Sequence, residues 1–243
     1  MSSCARADVR TGSFIGAGAA LLVASAALTG CGGGGGAAAP DAKTIVAGTA
    51  AKTAAVKSFR FTLDVKGVPP SSTGLSLDHA EGSVIVPDRL DAKIAATFAR
   101  IPIASELVIV GGSDYLKDPL TGRWRTLDIK TNPVAFFDPH RGVLGVVQGA
   151  RDIELAGKET VGGAESYHLT GKVKARDASR LLAVKTTSER LVDLDLWVGV
   201  KDELLRRVRV TGPVAAAEPA NASRTVELSD FGASFQIEAP KTG

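Results

Sequence analysis

Phe59-Arg60-Phe61-Thr62-Leu63-Asp64-Val65-Lys66 alternates strictly between apolar and polar side chains. Successive side chains of an extended chain point to opposite faces. Phe59, Phe61, Leu63 and Val65 therefore share one face, and Arg60, Thr62, Asp64 and Lys66 the other. One buried face and one wet face is the mark of an antiparallel sheet. Immediately upstream the period is helical. Residues 41–57 read as a helix with Asp41 as N-cap, and Ile45, Val46, Ala50, Thr53 and Val56 can share one side.

Downstream the period of two persists. Residues 68–74, with Pro69 and Pro70, read as a loop. A strand follows over 81–86, closed by Pro87-Asp88. Leu90, Ala92, Ile94, Ala96 and Phe98 alternate with Asp91, Lys93, Ala95 and Thr97. Ile103, Ser105, Leu107 and Ile109 alternate in the next strand. Gly111-Gly112-Ser113-Asp114 predicts a turn, 115–117 pairs back, and a loop returns to a short strand bearing Trp124. Asp138-Pro139 predicts a helix start, with apolar Val143, Leu144, Val146 and Val147 and with Gly149 to end it. Gly162-Gly163 predicts a hairpin between 158–161 and 164–170. A short helix is expected over 176–184, carrying Leu181 and Leu182. A second hairpin is expected between 191–200 and 203–210, and closing strands at 226–231 and 235–238. About ten strands joined by local turns make one antiparallel sheet, which must curl, close or stack at this size.

The first thirty residues read differently. Arg6 and Arg10 precede an apolar run over 14–28, which ends in Leu28-Thr29-Gly30-Cys31. That is a basic region, an apolar region and a small-residue cleavage site, the pattern of an export signal. Read instead as an uncleaved membrane helix, the run is short of the roughly twenty residues needed to span a bilayer. Leu-Thr-Gly-Cys matches the bacterial lipobox. The match implies cleavage before Cys31 and acylation of its thiol and new amino group. The expected organisation is 1–30 as a cleaved lipoprotein signal peptide, 31–40 as a lipidated, Gly/Ala-rich flexible tether, and 41–243 as a single domain. Several acyl chains form an anchor that does not readily leave the membrane. The expected address is the extracytoplasmic face of the cell membrane. Cys4 and Cys31 are the only cysteines. The mature body thus has no internal disulfide to lean on and must rest on its apolar core.

With 29 Lys and Arg against 26 Asp and Glu, the net charge is only +3. No basic stripe interleaves with aromatics, so nucleic acid is not an expected partner. The three histidines, His79, His140 and His168, fall in separate elements without metal-ligand spacing. His168, on a hairpin strand, reads as solvent-facing. Asp193 and Asp195 share one side of a strand, and alternation with Leu194 and Leu196 turns them to water. Nucleophile-elbow, metalloprotease and phosphate-loop motifs are absent. Neither an enzyme, nor a metal, nor a cofactor is expected.

Taken together, several segments resemble the LppX/LprG-type lipoproteins (LppX, LprA, LprF, LprG) of mycobacteria and other actinobacteria. They are the lipobox, the helix running into Phe59-Arg60-Phe61, the stretch 111–124 (GGSDYLKDPLTGRW), 137–144 (FDPHRGVL), 157–171 (GKETVGGAESYHLTG), 228–232 (LSDFG) and 237–240. The resemblance spans nearly all of the mature chain. It implies an α+β, mainly β fold: a strongly curved antiparallel half-barrel with a few helices on its concave side around an apolar cavity, similar to the LolA and LolB carriers. It further implies that the cavity takes long-chain lipids or acylated glycolipids.

Patterning then nominates the inner face. The strand candidates are Leu90, Ile94, Phe98, Ile103, Leu107, Ile109, Leu194 and Leu196, faced by Val143, Leu144, Val147, Leu181 and Leu182 from helices. Each also reads, taken singly, as an ordinary core residue. The expected function is a membrane-anchored lipoprotein that binds lipid and transfers it within the envelope. Its partners would be the lipid, the membrane through acylated Cys31 and a lipid exporter, and the body is expected to be a monomer. The alternatives are a protein-interaction or regulatory module without lipid cargo, and a carrier of a smaller apolar molecule.

Overall fold

A computed structural model describes residues 40–69, 74–127, 142–179 and 186–242. The expected signal peptide, Cys31 and the tether lie outside these residues. So do Asp138, Pro139, His140, Leu181 and Leu182, and the side chain of Leu144.

The body is one eleven-stranded sheet whose neighbours are all antiparallel. Helix α1 (Ala42–Ala54) leads into β1 (Ser58–Lys66), β2 (Leu75–Ile85), β3 (Arg89–Phe98), β4 (Ile101–Val110), β5 (Ser113–Lys117) and β6 (Trp124–Leu127). Helix α2 (Val143–Gln148) precedes β7 (Arg151–Val161) and β8 (Ala164–Lys174). Helix α3 (Ala175–Ala178) precedes β9 (Leu191–Gly199), β10 (Leu205–Thr211) and β11 (Ser223–Ser229). The spatial order is β6-β5-β4-β3-β2-β1-β11-β10-β9-β8-β7. Two meanders, one running outward from β1 and one inward to β11, are thus joined where the first strand pairs with the last. Leu63 opposes Val226 and Phe61 opposes Leu228 across that seam. The sheet is curved and open, a half-barrel.

Asp41 caps α1 as expected, accepting from the Lys43 and Thr44 amides at 3.1 and 3.3 Å. Ala42, Ile45 and Thr49 are the residues this helix buries, and it ends at Ala54, three residues short of the predicted span. Its C-terminal turn is tied to β10 where the Leu205 amide donates to Thr53 Oγ1 at 3.1 Å. The three helices among the described residues join the inward rows of the strands in one apolar cluster. Leu169, Leu196, Val198 and Leu205 are fully buried there, with Val146 and Val147 from α2.

Several expected boundaries move. Of the helix predicted from Asp138, the described part begins at Val143, after Gly142 at φ −94° and ψ −128°, and 138–141 lie outside the described residues. Of the helix predicted over 176–184, the described part is α3 from Ala175, with Ser179 in a tighter 3₁₀ turn, and 180–184 lie outside the described residues. β2 starts six residues earlier than predicted, since a register shift between Leu77 and His79 breaks the alternation that marks a strand. β7 is similarly longer, with shifts between Arg151 and Glu154 and between Leu155 and Gly157. The strand predicted at 235–238 pairs with nothing: both sides of β1 are already taken by β2 and β11. That segment is held instead by Arg89, whose Nη1 donates to the Ile237 carbonyl at 3.0 Å, and by burial of Ile237.

Candidate functional site: the apolar inner face

The inner face divides into two unequal halves. Over β8–β10 it is sealed. Leu169, Val173, Val192, Leu194, Leu196, Val208 and Val210 are buried, and the principal helix contacts are here, α1 on α2, β7 and β10, and α3 on β8. Over β2–β5 burial is graded. Leu90, Ala92, Leu107 and Ile109 are buried, while Leu77, Ile94, Ile103 and Leu116 are half-buried. At the strand ends Phe98 is 51% exposed, Leu75 62% and Ile101 64%. Phe98 pairs with both Leu75 and Ile101, so the three form one row across β2, β3 and β4. They share the face of Leu77, Ala96 and Ile103, the next row inward. Along β3 the inward row is therefore apolar from the core of the sheet to its rim, while on β4 Ser105 interrupts it.

The thirteen lining residues read from sequence distribute accordingly. Leu90, Leu107, Ile109, Leu194 and Leu196 are buried on the inner face, and Val143 and Val147 bury against it from α2. Ile94 packs against the same cluster while staying half-buried. Ile103 is half-buried and Phe98 is exposed at the rim. Leu181, Leu182 and the Leu144 side chain lie outside the described residues.

One residue on this face was invisible to pattern reading. Arg224 continues the inward row of Val226 and Leu228, opposite Val65 and Val210, and is 4% exposed. Its Nη2 donates to Glu218 Oε1, while Glu218 Oε2 accepts the Val214 amide at 2.9 Å. Nη1 has no partner among the described residues. Burial pushes the Glu218 carboxyl up, but the bond from Arg224, the backbone amides of Ala215 and Val214 and the guanidinium charge outweigh it. The net direction is below the ordinary carboxylate value. Glu218 sits six residues before Arg224, in a loop, and sequence alone gives no sign of this pairing.

The outer face is polar but not bland. His168 does not stand in solvent as expected: its side chain is 18% exposed. Its Nδ1 faces Glu159 Oε1 at 3.0 Å and its Nε2 faces Asp195 Oδ1 at 2.8 Å. The ring stacks on Trp197 with centroids 4.4 Å apart and planes 5° apart. Trp197 Nε1 donates to Glu159 Oε2 at 2.8 Å, and the guanidinium groups of Arg207 and Arg209 lie 5.0 and 5.1 Å from its ring centre. Trp197 is only 2% exposed on the face opposite the main core. Asp195 is thus bonded to His168, and Asp193 pairs with Lys172. Further along, a recess of about 390 Å³ is lined by His79, Glu81, Lys93, Glu106, Lys117 and Asp118 among others. Charged side chains share its wall with Ile94, Ala95, Ala104 and Pro119. Within it Lys117 Nζ donates to Glu106 Oε1 at 2.7 Å. Among the described residues no group of His, Cys, Asp and Glu could hold a metal ion, and no helix is long and apolar enough to cross a membrane.

Comparison with known proteins bears on this geometry. The model of the LppX_LprAFG lipoprotein family matches residues 41–237. The lipoarabinomannan carrier protein LprG of Mycobacterium tuberculosis is 27% identical over 188 residues, covering 74% of this chain and 77% of that protein. LprG of Mycobacterium bovis matches equally. Among solved structures, LprF from Mycobacterium bovis superposes with a TM-score of 0.66 at 17% identity, over 83% of this chain and 97% of that one. LppX of Mycobacterium tuberculosis gives 0.57 at 15% identity, over 81% and 99%. At such identities these structures establish the shared fold.

Proposed function

The chain belongs to the LppX_LprAFG lipoprotein family, and from that membership and its half-sealed inner face we propose that it is an envelope lipid carrier. The carrying observation is the gradient over β2–β5, where the apolar face emerges from the core and reaches the rim. A closed core would bury Ile94 and Ile103 as fully as it buries Leu194 and Leu196. Apolar surface left partly open on a well-packed sheet suits acyl chains, each buried methylene contributing about 0.8 kcal/mol. The ligand would be a lipid or an acylated glycolipid, the class that LprG, named as a lipoarabinomannan carrier, supports. Leu90, Ile94, Phe98, Ile103, Leu107 and Ile109 would line the chain-binding surface. Val143, Leu144, Val147, Leu181 and Leu182 would face it from the helical side, and Leu194 and Leu196 would form its sealed floor. No covalent step is required, and transfer would follow the difference in lipid affinity between donor and acceptor.

The anchor completes the reading. Residues 1–30 would direct export, acylated Cys31 would hold the protein at the extracytoplasmic face, and 31–40 would leave the body free to move. A flexible Gly-rich tether of this length spans on the order of 15–20 Å. Delivery would be to an exporter or an acceptor membrane, and the body would act as a monomer.

The test is mass spectrometry of organic extracts from a soluble body beginning at Ala39, produced in an actinobacterial host. A stoichiometric lipid is expected. Protein that is lipid-free and also fails to take up fluorescent acyl probes would overturn the proposal in favour of a tethered interaction module.

A further inference from the structure

We propose that the rim carrying the β3–β4 turn is a docking surface for an anionic bilayer. Six large apolar side chains are exposed among the described residues: Leu75, Phe98, Ile101, Leu120, Leu127 and Leu191. Chance would divide them between the two ends of the sheet. Five of them lie at one end. Leu75 opens β2, Phe98 and Ile101 flank the turn between β3 and β4, Leu120 is 92% exposed between β5 and β6, and Leu191 opens β9. The strand registers place these positions at a common end, through Leu75 to Phe98 to Ile101 on one half and Leu191 to Lys174 on the other. Leu127 alone is at the opposite end, paired with Asp114.

Clustered exposed apolar residues on a soluble body mark a surface made to be covered. The charges beside them choose the occupant. Arg100 occupies the β3–β4 turn itself, Lys66 ends β1 and Arg123 lies in the β5–β6 turn, all exposed. None of the three has an ion-pair partner among the described residues. The acids nearby are mostly spent: Asp118 is held by Arg125 and by the amides of Leu120 and Thr121, and on the other half Glu189 is held by Lys174 and Arg176. Asp78, bonded to Thr97, and Asp152, exposed at the start of β7, are the exceptions. Apolar side chains at a tip ringed by free cations match the layering of an anionic membrane, where each cation is drawn to headgroups while apolar groups enter the acyl boundary. A protein partner would not require that order.

The row Leu75, Phe98 and Ile101 also continues the inner apolar face, so docking here would set the proposed lipid path against the bilayer. In that respect the inference rests on the carrier reading, but the docking itself needs no cargo. The experiment is flotation of the body, residues 39–243, with phosphatidylcholine vesicles with and without phosphatidylglycerol. Binding is expected with the anionic vesicles, weakening at high salt. The variant Leu75→Ser, Phe98→Ser, Ile101→Ser is expected to bind roughly tenfold less, and Arg100→Glu to lose the preference for phosphatidylglycerol. Leu127→Ser, at the far end, is expected to bind like the parent. All these positions are exposed, and thermal unfolding checks that the variants fold. Parent that ignores anionic vesicles, a triple variant that binds undiminished, or equal loss in Leu127→Ser would overturn the inference. Extractable lipid is measured on the same samples. Lipid retained without rim-dependent binding leaves the carrier reading standing alone, and rim-dependent binding without lipid leaves the docking surface standing alone.

Discussion

Replacing Glu218 by glutamine should expose how much the arginine on the inner face depends on one carboxylate. The two side chains are 7% and 4% exposed. Glutamine keeps the shape and a carbonyl that can still accept the Val214 amide, so the change isolates the charge. Breaking a buried pair while leaving the other ion in place costs about 3–5 kcal/mol, and Nη1 of Arg224 is already without a partner to share the load. That is a large part of the roughly 5–15 kcal/mol that holds a domain together. Urea unfolding of the body at neutral pH should show a lower midpoint with an unchanged slope. The pH dependence has a definite sign. The folded carboxyl titrates below its ordinary value of 4.5, so its contribution is complete above that value and is lost as pH falls through the depressed one. The gap between parent and Glu218→Gln should therefore close in acid. Pairing Arg224→Met with Glu218→Leu should recover most of the loss, since an apolar pair of similar volume is often no worse than a buried ion pair. A single variant costing under about 1 kcal/mol, or a gap that persists unchanged in acid, would refute the reasoning.

Three further outcomes are expected. Ile94→Trp, on the half-buried part of the inner face, should reduce uptake of a fluorescent fatty acid more than it shifts the melting temperature; uptake equal to the parent would remove Ile94 from the lining. Trp197→Ala should cost about 3–5 kcal/mol in urea unfolding, while His168→Ala, which leaves the indole in place, should lose roughly the stacking share of about 0.5–1.5 kcal/mol plus its hydrogen bonding to Glu159 and Asp195. Gly82→Ala places a Cβ 1.9 Å from the Asp91 carbonyl oxygen on the neighbouring strand, so the β2–β3 ladder must shift. A loss of about 1–3 kcal/mol is expected, read as a lower urea midpoint.

The sheet was legible wherever neighbouring strands meet through a short turn. β1 announces itself by alternation, and the β7–β8 hairpin by Gly162-Gly163, whose φ values of +56° and +78° favour glycine. What was hidden has three physical sources. Register shifts at Leu77/His79 and Leu155/Gly157 erase the period of two while keeping the ladder. The pairing of β1 with β11 joins residues far apart in sequence, for which no local signal exists. Alternation at 235–238 looks like a strand, but there was no open strand edge beside β1 for it to join. The outer-face cluster was hidden for a similar reason. His168, Glu159, Asp195, Trp197 and Arg207 belong to four strands, and only the lateral order β7-β8-β9-β10 brings them together.

The open form of the sheet follows from its two edge strands. A sheet of eleven strands has enough width to close, and an exposed edge invites pairing. β6 has four residues, too few to template a long ladder. β7 has eleven residues, yet Asp152 at φ +51° and two register shifts interrupt its pairing with β8, and Arg151, Asp152, Glu154, Lys158 and Glu159 charge it. Both edges are thereby made poor partners for each other and for a second molecule. With closure prevented, the inner face must be covered from within the concavity. Helices provide that cover over β7–β10, and on the β2–β5 half the apolar surface opens progressively towards the rim. The edge defects and the partly open half are therefore two aspects of one design, and correcting the first should disturb the second. Removing the β7 irregularities, for instance by deleting Asp152, is expected to extend the β7–β8 ladder and promote edge pairing between molecules. Size-exclusion chromatography would read that as earlier elution than the parent, and an unchanged elution volume would show that β7 is held open by something other than its bulges.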